Sequence, residues 1–195
     1  MNRTWNFEKG AWQAEDFLSA ASSRVEYRLT FGQKDDCIHN EGADKMDEYA
    51  YVSMVHRTPV SLPCLLETEC SFRTYGAPLL ILADAVDTLP DGRLQYGHHI
   101  EVVGWEKGIN VWDLTPDPEA PNGQRTVNLG RFSFPIEDGA RFLLTARADR
   151  QGLVVGAEVN GRSAQFDCPC VLPEKCNVGI TACEGENYFY RFSIR

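Results

Sequence analysis

Apolar and polar residues alternate with a period of two along most of the chain, the spacing that turns one face of an extended strand toward a core and the other toward water. Val25, Tyr27, Leu29 and Phe31 alternate with Arg24, Glu26, Arg28 and Thr30. Leu66, Thr68, Cys70 and Phe72 alternate in the same way with Glu67, Glu69, Ser71 and Arg73. The same reading predicts strands over 49–57, 79–83, 98–103, 109–114, 141–148, 153–159, 177–183 and 188–195. Turn residues separate them, among them Pro90-Asp91-Gly92, Asp149 to Gly152 and Glu184 to Asn187. Asn160-Gly161 is the strongest hairpin turn, because both central residues of a type I′ turn need positive φ. Only 14–22 has the spacing of a two-turn helix.

Many short strands with frequent turns and almost no helix predict an all-β fold, a sandwich of two antiparallel sheets packed face to face. Leu66, Phe72, Ile100, Val102 and the run 79–82 are the expected core. The segment 115–124 carries three prolines and reads as a loop, because the strand pattern resumes after it. One domain over 1–195 is therefore expected. Composition is consistent with that: at 195 residues with 43% hydrophobic residues, a single core can bury roughly 70% of the unfolded chain's surface. A net charge of −9 without any Lys or Arg run argues against nucleic acid and anionic membrane as partners. The longest apolar run, 77–83, falls short of the ~20 residues a membrane-spanning helix needs. Residues 1–9 lack an apolar signal-peptide core, so a cytoplasmic location is expected. Seven irregularly spaced cysteines, an odd number, fit free thiols in a reducing compartment.

Three stretches together resemble the concanavalin A-like lectin and glucanase superfamily, jelly-roll sandwiches that include laminin G-like modules. The first is 58–72 followed by the apolar strand 78–82; the second is the hairpin of 99–103 and 109–114. The third comprises 153–161, 178–185 and 188–194, which look like the closing strands of such domains. The resemblance implies a jelly roll and a carbohydrate-binding or carbohydrate-active domain, with binding favoured over turnover and an oligosaccharide or polysaccharide as partner. The alternatives are a protein-interaction or structural module on the same sandwich, and a glycoside hydrolase or polysaccharide lyase with an atypical acid arrangement.

Glycan sites in such folds combine carboxylates, amides and arginine with an aromatic ring that meets the apolar face of a sugar. Glu67, Glu69 and Arg73 share one strand face at a spacing of about 7 Å per step, and His99 and Glu101 share another. If both strands belonged to one sheet, the two pairs would line one solvent side. Trp112 is the candidate sugar platform, with Trp105 at the rim. The ligand-binding candidates are accordingly Glu67, Glu69, Arg73, His99, Glu101 and Trp112. The glucanases of the superfamily are similar in carrying three acids on one strand, Glu-x-Asp-x-Glu or Glu-x-Asp-x-x-Glu; here the pattern stops at Glu69, so no catalytic residue is assigned. His99-Ile100-Glu101 with Pro169-Cys170 lacks the Cys-x-x-Cys of zinc deaminases, since the next cysteine is Cys176. Calcium is common in the superfamily, yet Asp84, Asp87 and Asp91 do not have the spacing of a known calcium loop, so no cofactor is assigned and calcium is the one ion the resemblance leaves open.

Overall fold

A computed structural model describes residues 2–23, 30–40 and 51–195. The N-terminal part contributes β1 (Arg3–Asn6), β2 (Phe17–Ser19), β3 (Phe31–Gln33), β4 (Ile38–Asn40), β5 (Val52–His56) and β6 (Val60–Ser61). The middle contributes β7 (Cys64–Arg73), β8 (Ala77–Ala83), β9 (Val86–Thr88), β10 (Leu94–Tyr96), β11 (His99–Trp105) and β12 (Gly108–Pro116). The chain closes with β13 (Gln124–Ser133), β14 (Phe142–Asp149), β15 (Gly152–Val159), β16 (Arg162–Pro169), β17 (Lys175–Cys183) and β18 (Glu186–Ile194). Most of the strand that alternation predicts up to Phe31, and the first part of the one at 49–57, lie outside the described residues.

Two antiparallel sheets form a sandwich. Sheet I runs β16-β15-β14-β7-β18-β4-β3 with β1 also on β18, and sheet II runs β13-β12-β11-β8-β17-β5-β2 with β6 on β17. A separate hairpin, β9–β10, stands apart from both. Neighbours such as β7 and β18, or β8 and β17, lie far apart in sequence, so the sheets are knitted by crossovers, as in a jelly roll. Between the sheets Leu66, Phe72, Leu144 and Phe192 from sheet I meet Ile100, Val102, Val111 and Val178 from sheet II. Burial of each such side chain contributes about 1.5–3 kcal/mol. Phe142 packs directly on the β11 backbone: a Cβ at Gly104 would lie 2.7 Å from its ring, so any side chain there would have to displace that ring. The Asn160-Gly161 turn joins β15 to β16 with φ of 51° and 73°, the positive pair the sequence called for.

Three expectations need correction. The run 79–82 is buried throughout but on two faces, with Leu80 and Leu82 between the sheets and Leu79 and Ile81 on the outer side of sheet II. A continuous apolar run in an extended strand signals cover on both faces, and here Ala20, Ala21 and Tyr96 supply the second cover. The two-turn helix over 14–22 is instead one 3-10 turn, Ala14–Asp16, followed by β2. Phe17 is drawn into the sandwich edge, where its ring meets Trp5 at 5.0 Å and its backbone pairs with His56; packing outweighs helix spacing over so short a segment. β13 and β16, absent from the predicted set, are the edge strands of the two sheets and expose residues on both faces, which erases alternation.

None of the seven cysteines is joined in a disulfide among the described residues. Burial pushes Cys37, Cys64 and Cys170 up to about 11 and Cys176 up to about 12. The folded chain therefore keeps thiol protons that the unfolded chain releases near 9, so this contribution is whole below pH 9 and is lost as pH rises toward 11–12. Urea midpoints should fall over that window, and less steeply in Cys176→Ala; a midpoint indifferent to both contradicts the buried-thiol account. Denaturation without reductant should release all seven thiols to a colorimetric reagent.

Candidate functional site

The outer faces of the two sheets differ in kind. On sheet I the residues of β7 that point outward are engaged with neighbouring cations. Glu67 meets Arg195 at 2.6 Å and accepts from Ser193 Oγ at 3.2 Å. Glu69 lies 3.8 Å from Arg141, which itself pairs with Asp36 at 2.6 Å and sits 3.6 Å over the ring of Tyr190. Arg73 is exposed at the end of the same strand. This is a solvated face laced with ion pairs, each contributing about 0–1 kcal/mol.

Sheet II has an outer face that is half covered and half open. Across β8, β17 and β5 it is apolar, and the β9–β10 hairpin and the strap Ala20–Ala21 lie over it. The strap is held to β10 by Ala21 N–H to Leu94 O at 3.1 Å and Tyr96 N–H to Ala21 O at 2.9 Å. Tyr96 anchors the hairpin to the sheet: its hydroxyl shares a hydrogen bond with Ser53, which in turn bonds Thr181 on β17. Beyond the hairpin, over β8, β11 and β12, the face opens into a cavity of about 450 Å³ whose floor includes Glu101, Asn110 and Trp112.

Strand pairing explains why these residues meet. Glu101 on β11 lies directly opposite Trp112 on β12, and Val103 opposite Asn110, so both pairs stand on one face about one strand spacing apart. Asn110 in turn faces Arg131 of β13 and accepts from its Nε at 3.0 Å. Arg131 and Lys107 lie 5.7 and 5.3 Å from the ring centroid of Trp105, at the far end of the same face. Trp112 is half-buried, the state in which a ring offers one face to a ligand.

Glu101 is only 2% exposed, and His99 not at all. The Tyr51 hydroxyl donates to Glu101 Oε1 at 3.2 Å. His99 holds its Nδ1 2.9 Å from the Gly97 carbonyl, which only accepts, so that nitrogen carries the hydrogen. His99 Nε2 lies 3.7 Å from Glu101 Oε1 and has no hydrogen-bond partner among the described residues. The ring of Tyr96 packs 5.2 Å away.

The structure thus brings His99, Glu101 and Trp112 together on sheet II and puts Glu67, Glu69 and Arg73 on sheet I, across the sandwich. The expected union of the two carboxylate pairs fails because β7 and β11 belong to different sheets, which alternation within each strand cannot reveal. Nor is Glu101 an exposed acid as its polar alternation suggests. Asn110, Tyr75 and Glu184 join the cavity without having been singled out; the first stands two residues before Trp112 and the others come from loops. Among the described residues no group of three or more His, Cys, Asp or Glu side chains converges to hold a metal ion.

No protein-family model matches the sequence, and no curated protein does. Among solved structures the chain is similar to the carbohydrate binding module CBM66 from Bacillus subtilis, at 10% identity over 89% of this chain and 91% of that one, with a TM-score of 0.60. It is similar to lectin UEA-II complexed with galactose, at 9% identity over 100% of this chain and 97% of that one, with a TM-score of 0.59. The exoplasmic/lumenal domain of VIP36 in its Ca2+/Man3GlcNAc-bound form aligns at 11% identity over 92% of this chain and 82% of that one, with a TM-score of 0.57. At such identities the likeness is one of fold, and the fold is the concanavalin A-like jelly-roll sandwich.

Two substitutions separate the faces. Tyr96→Phe removes the hydroxyl that ties the hairpin to Ser53 and should cost about 1–2 kcal/mol in urea unfolding. Glu69→Ala should shift stability by no more than about 0.5 kcal/mol. Equal effects would mean that the hairpin is not anchored through that hydroxyl.

Proposed function

We propose that the chain is a carbohydrate-binding domain that holds an oligosaccharide or polysaccharide in the open half of the sheet II face. The observation that carries this reading is the cavity that sets the half-buried ring of Trp112 beside the carboxylate of Glu101 and the amide of Asn110. A pyranose has an apolar face of C–H groups and a rim of hydroxyls. Trp112 meets the face, while Glu101 accepts hydrogen bonds from the hydroxyls and Asn110 accepts or donates. Two similar structures hold galactose and Man3GlcNAc, which supports a glycan as ligand on this fold.

Binding is favoured over turnover. Calcium, which the VIP36 structure carries, does not fit a cluster of described side chains here, so the sugar contacts are derived from the protein's own groups. The free thiols support a cytoplasmic location as part of the same reading.

On a glycan panel, Trp112→Ala should weaken binding about tenfold, the effect of losing ~1.4 kcal/mol of ring contact. Arg141→Ala, on sheet I, should leave it unchanged. The reverse pattern would move the site to sheet I and overturn the proposal.

A further inference from the structure

We infer that Tyr75 is a second sugar platform, at the end of the groove remote from Trp112, through which the site discriminates extended glycan chains from single sugars; this rests on the glycan-binding reading above and names its ligand class. The first observation is backbone strain. Thr74 and Tyr75 lead from β7 to β8 with φ of 53° and 62°, and the Gly76 N–H closes the turn on the Arg73 carbonyl at 3.1 Å. Two successive positive φ values with that bond make a type I′ turn, whose central positions favour Asn and Gly. The Asn160-Gly161 turn has the same signs of φ and the residues that suit them. A β-branched threonine and a bulky tyrosine are the types least suited to this region.

The fold accounts for the conformation but not for the tyrosine. The turn packs against Glu184-Gly185, between β17 and β18, so closely that a Cβ at Gly185 would run into the Thr74 carbonyl and one at Gly76 into the Glu186 carbonyl. Asn and Gly would meet that demand equally well. Tyr75 is 59% exposed, the most exposed aromatic ring among the described residues, so it adds little to either core. Strained residues of this kind gather where a protein meets its ligand. What Tyr75 does border is the cavity.

Strand register gives the distance between the two platforms. Trp112 stands in one row with Glu101 and Ile81, and Asn110 stands in the next with Val103 and Leu79. Ala77, at the start of β8, is one further step along the same face, and Tyr75 lies in the turn before it. Trp112 and Ala77 are thus separated by two steps of about 7 Å along the strands and by two strand spacings of about 4.8 Å. No single pyranose touches both rings. A chain laid diagonally across β11 sets the apolar face of one sugar on Trp112 and that of a later one on Tyr75, with the Asn110 amide between them for hydroxyls.

The test is calorimetric titration of the full chain with glucose, galactose, mannose, xylose and N-acetylglucosamine and with the homotetramer of each. The tetramer that binds should lose about five- to tenfold in affinity in Tyr75→Ala, the loss of one ring contact, and about twofold or less in Tyr75→Phe. Its monosaccharide, which reaches Trp112 alone, should bind Tyr75→Ala and the unaltered chain alike, or neither. The double variant Thr74→Asn/Tyr75→Gly gives the turn the residues found at 160–161; its melting temperature should rise by about 2–4 °C while tetramer binding falls as in Tyr75→Ala. A merely structural tyrosine does not produce a gain in stability with a loss of binding. Unchanged tetramer affinity in Tyr75→Ala, an equal loss for the monosaccharide, or a lower melting temperature in the double variant would each overturn the inference. The glycan reading would still stand in those cases if Trp112→Ala weakens binding, whereas binding of no sugar in the set would count against that reading and the inference together.

Discussion

Sheet II is apolar on both faces over half its width, and the rest of the structure follows from covering it. One face of β8 supplies Leu80 and Leu82 to the space between the sheets, and the other leaves Leu79 and Ile81 outside it. Exposing those side chains would cost about 1.5–3 kcal/mol each. The β9–β10 hairpin and the Ala20–Ala21 strap remove them from water, and Tyr96 fastens the hairpin through Ser53 and Thr181. The cover ends over β11 and β12, and the step from covered to open face creates a concavity in an otherwise flat surface. The groove is thus the edge of a second, smaller core.

How much of this was legible in the sequence depends on the range of each interaction. Alternation is local, so the strands with one wet and one dry face, such as β7, stand out from residues alone. β13 and β16 are wet on both faces and leave no alternation to read. Pairing between strands is non-local: nothing in Glu67-Thr68-Glu69 or His99-Ile100-Glu101 says that β14 and β18 flank one while β8 and β12 flank the other. The continuous apolar run in β8 did carry information about a second cover, because four consecutive apolar residues in a strand require two dry faces. Trp112 was legible as an aromatic at a strand position, but its union with Glu101 needed the β11–β12 register.

The contrast between the two sets of acids bears on function. Glu67 and Glu69 have cationic neighbours and partial exposure, the ordinary state of charge on the wet side of a sheet. Glu101 is almost wholly buried, beside a histidine whose Nε2 lacks a bond. Withdrawing a carboxylate from water is costly unless its surroundings compensate, and apolar residues of similar volume would often serve stability better. The same strand position faces an aromatic ring and a cavity rather than the space between the sheets. Glu101 instead sits at the floor of the groove, bonded by the Tyr51 hydroxyl and beside His99, and a buried acid with an aromatic ring across the strand from it supports the proposed placement of the binding face on sheet II.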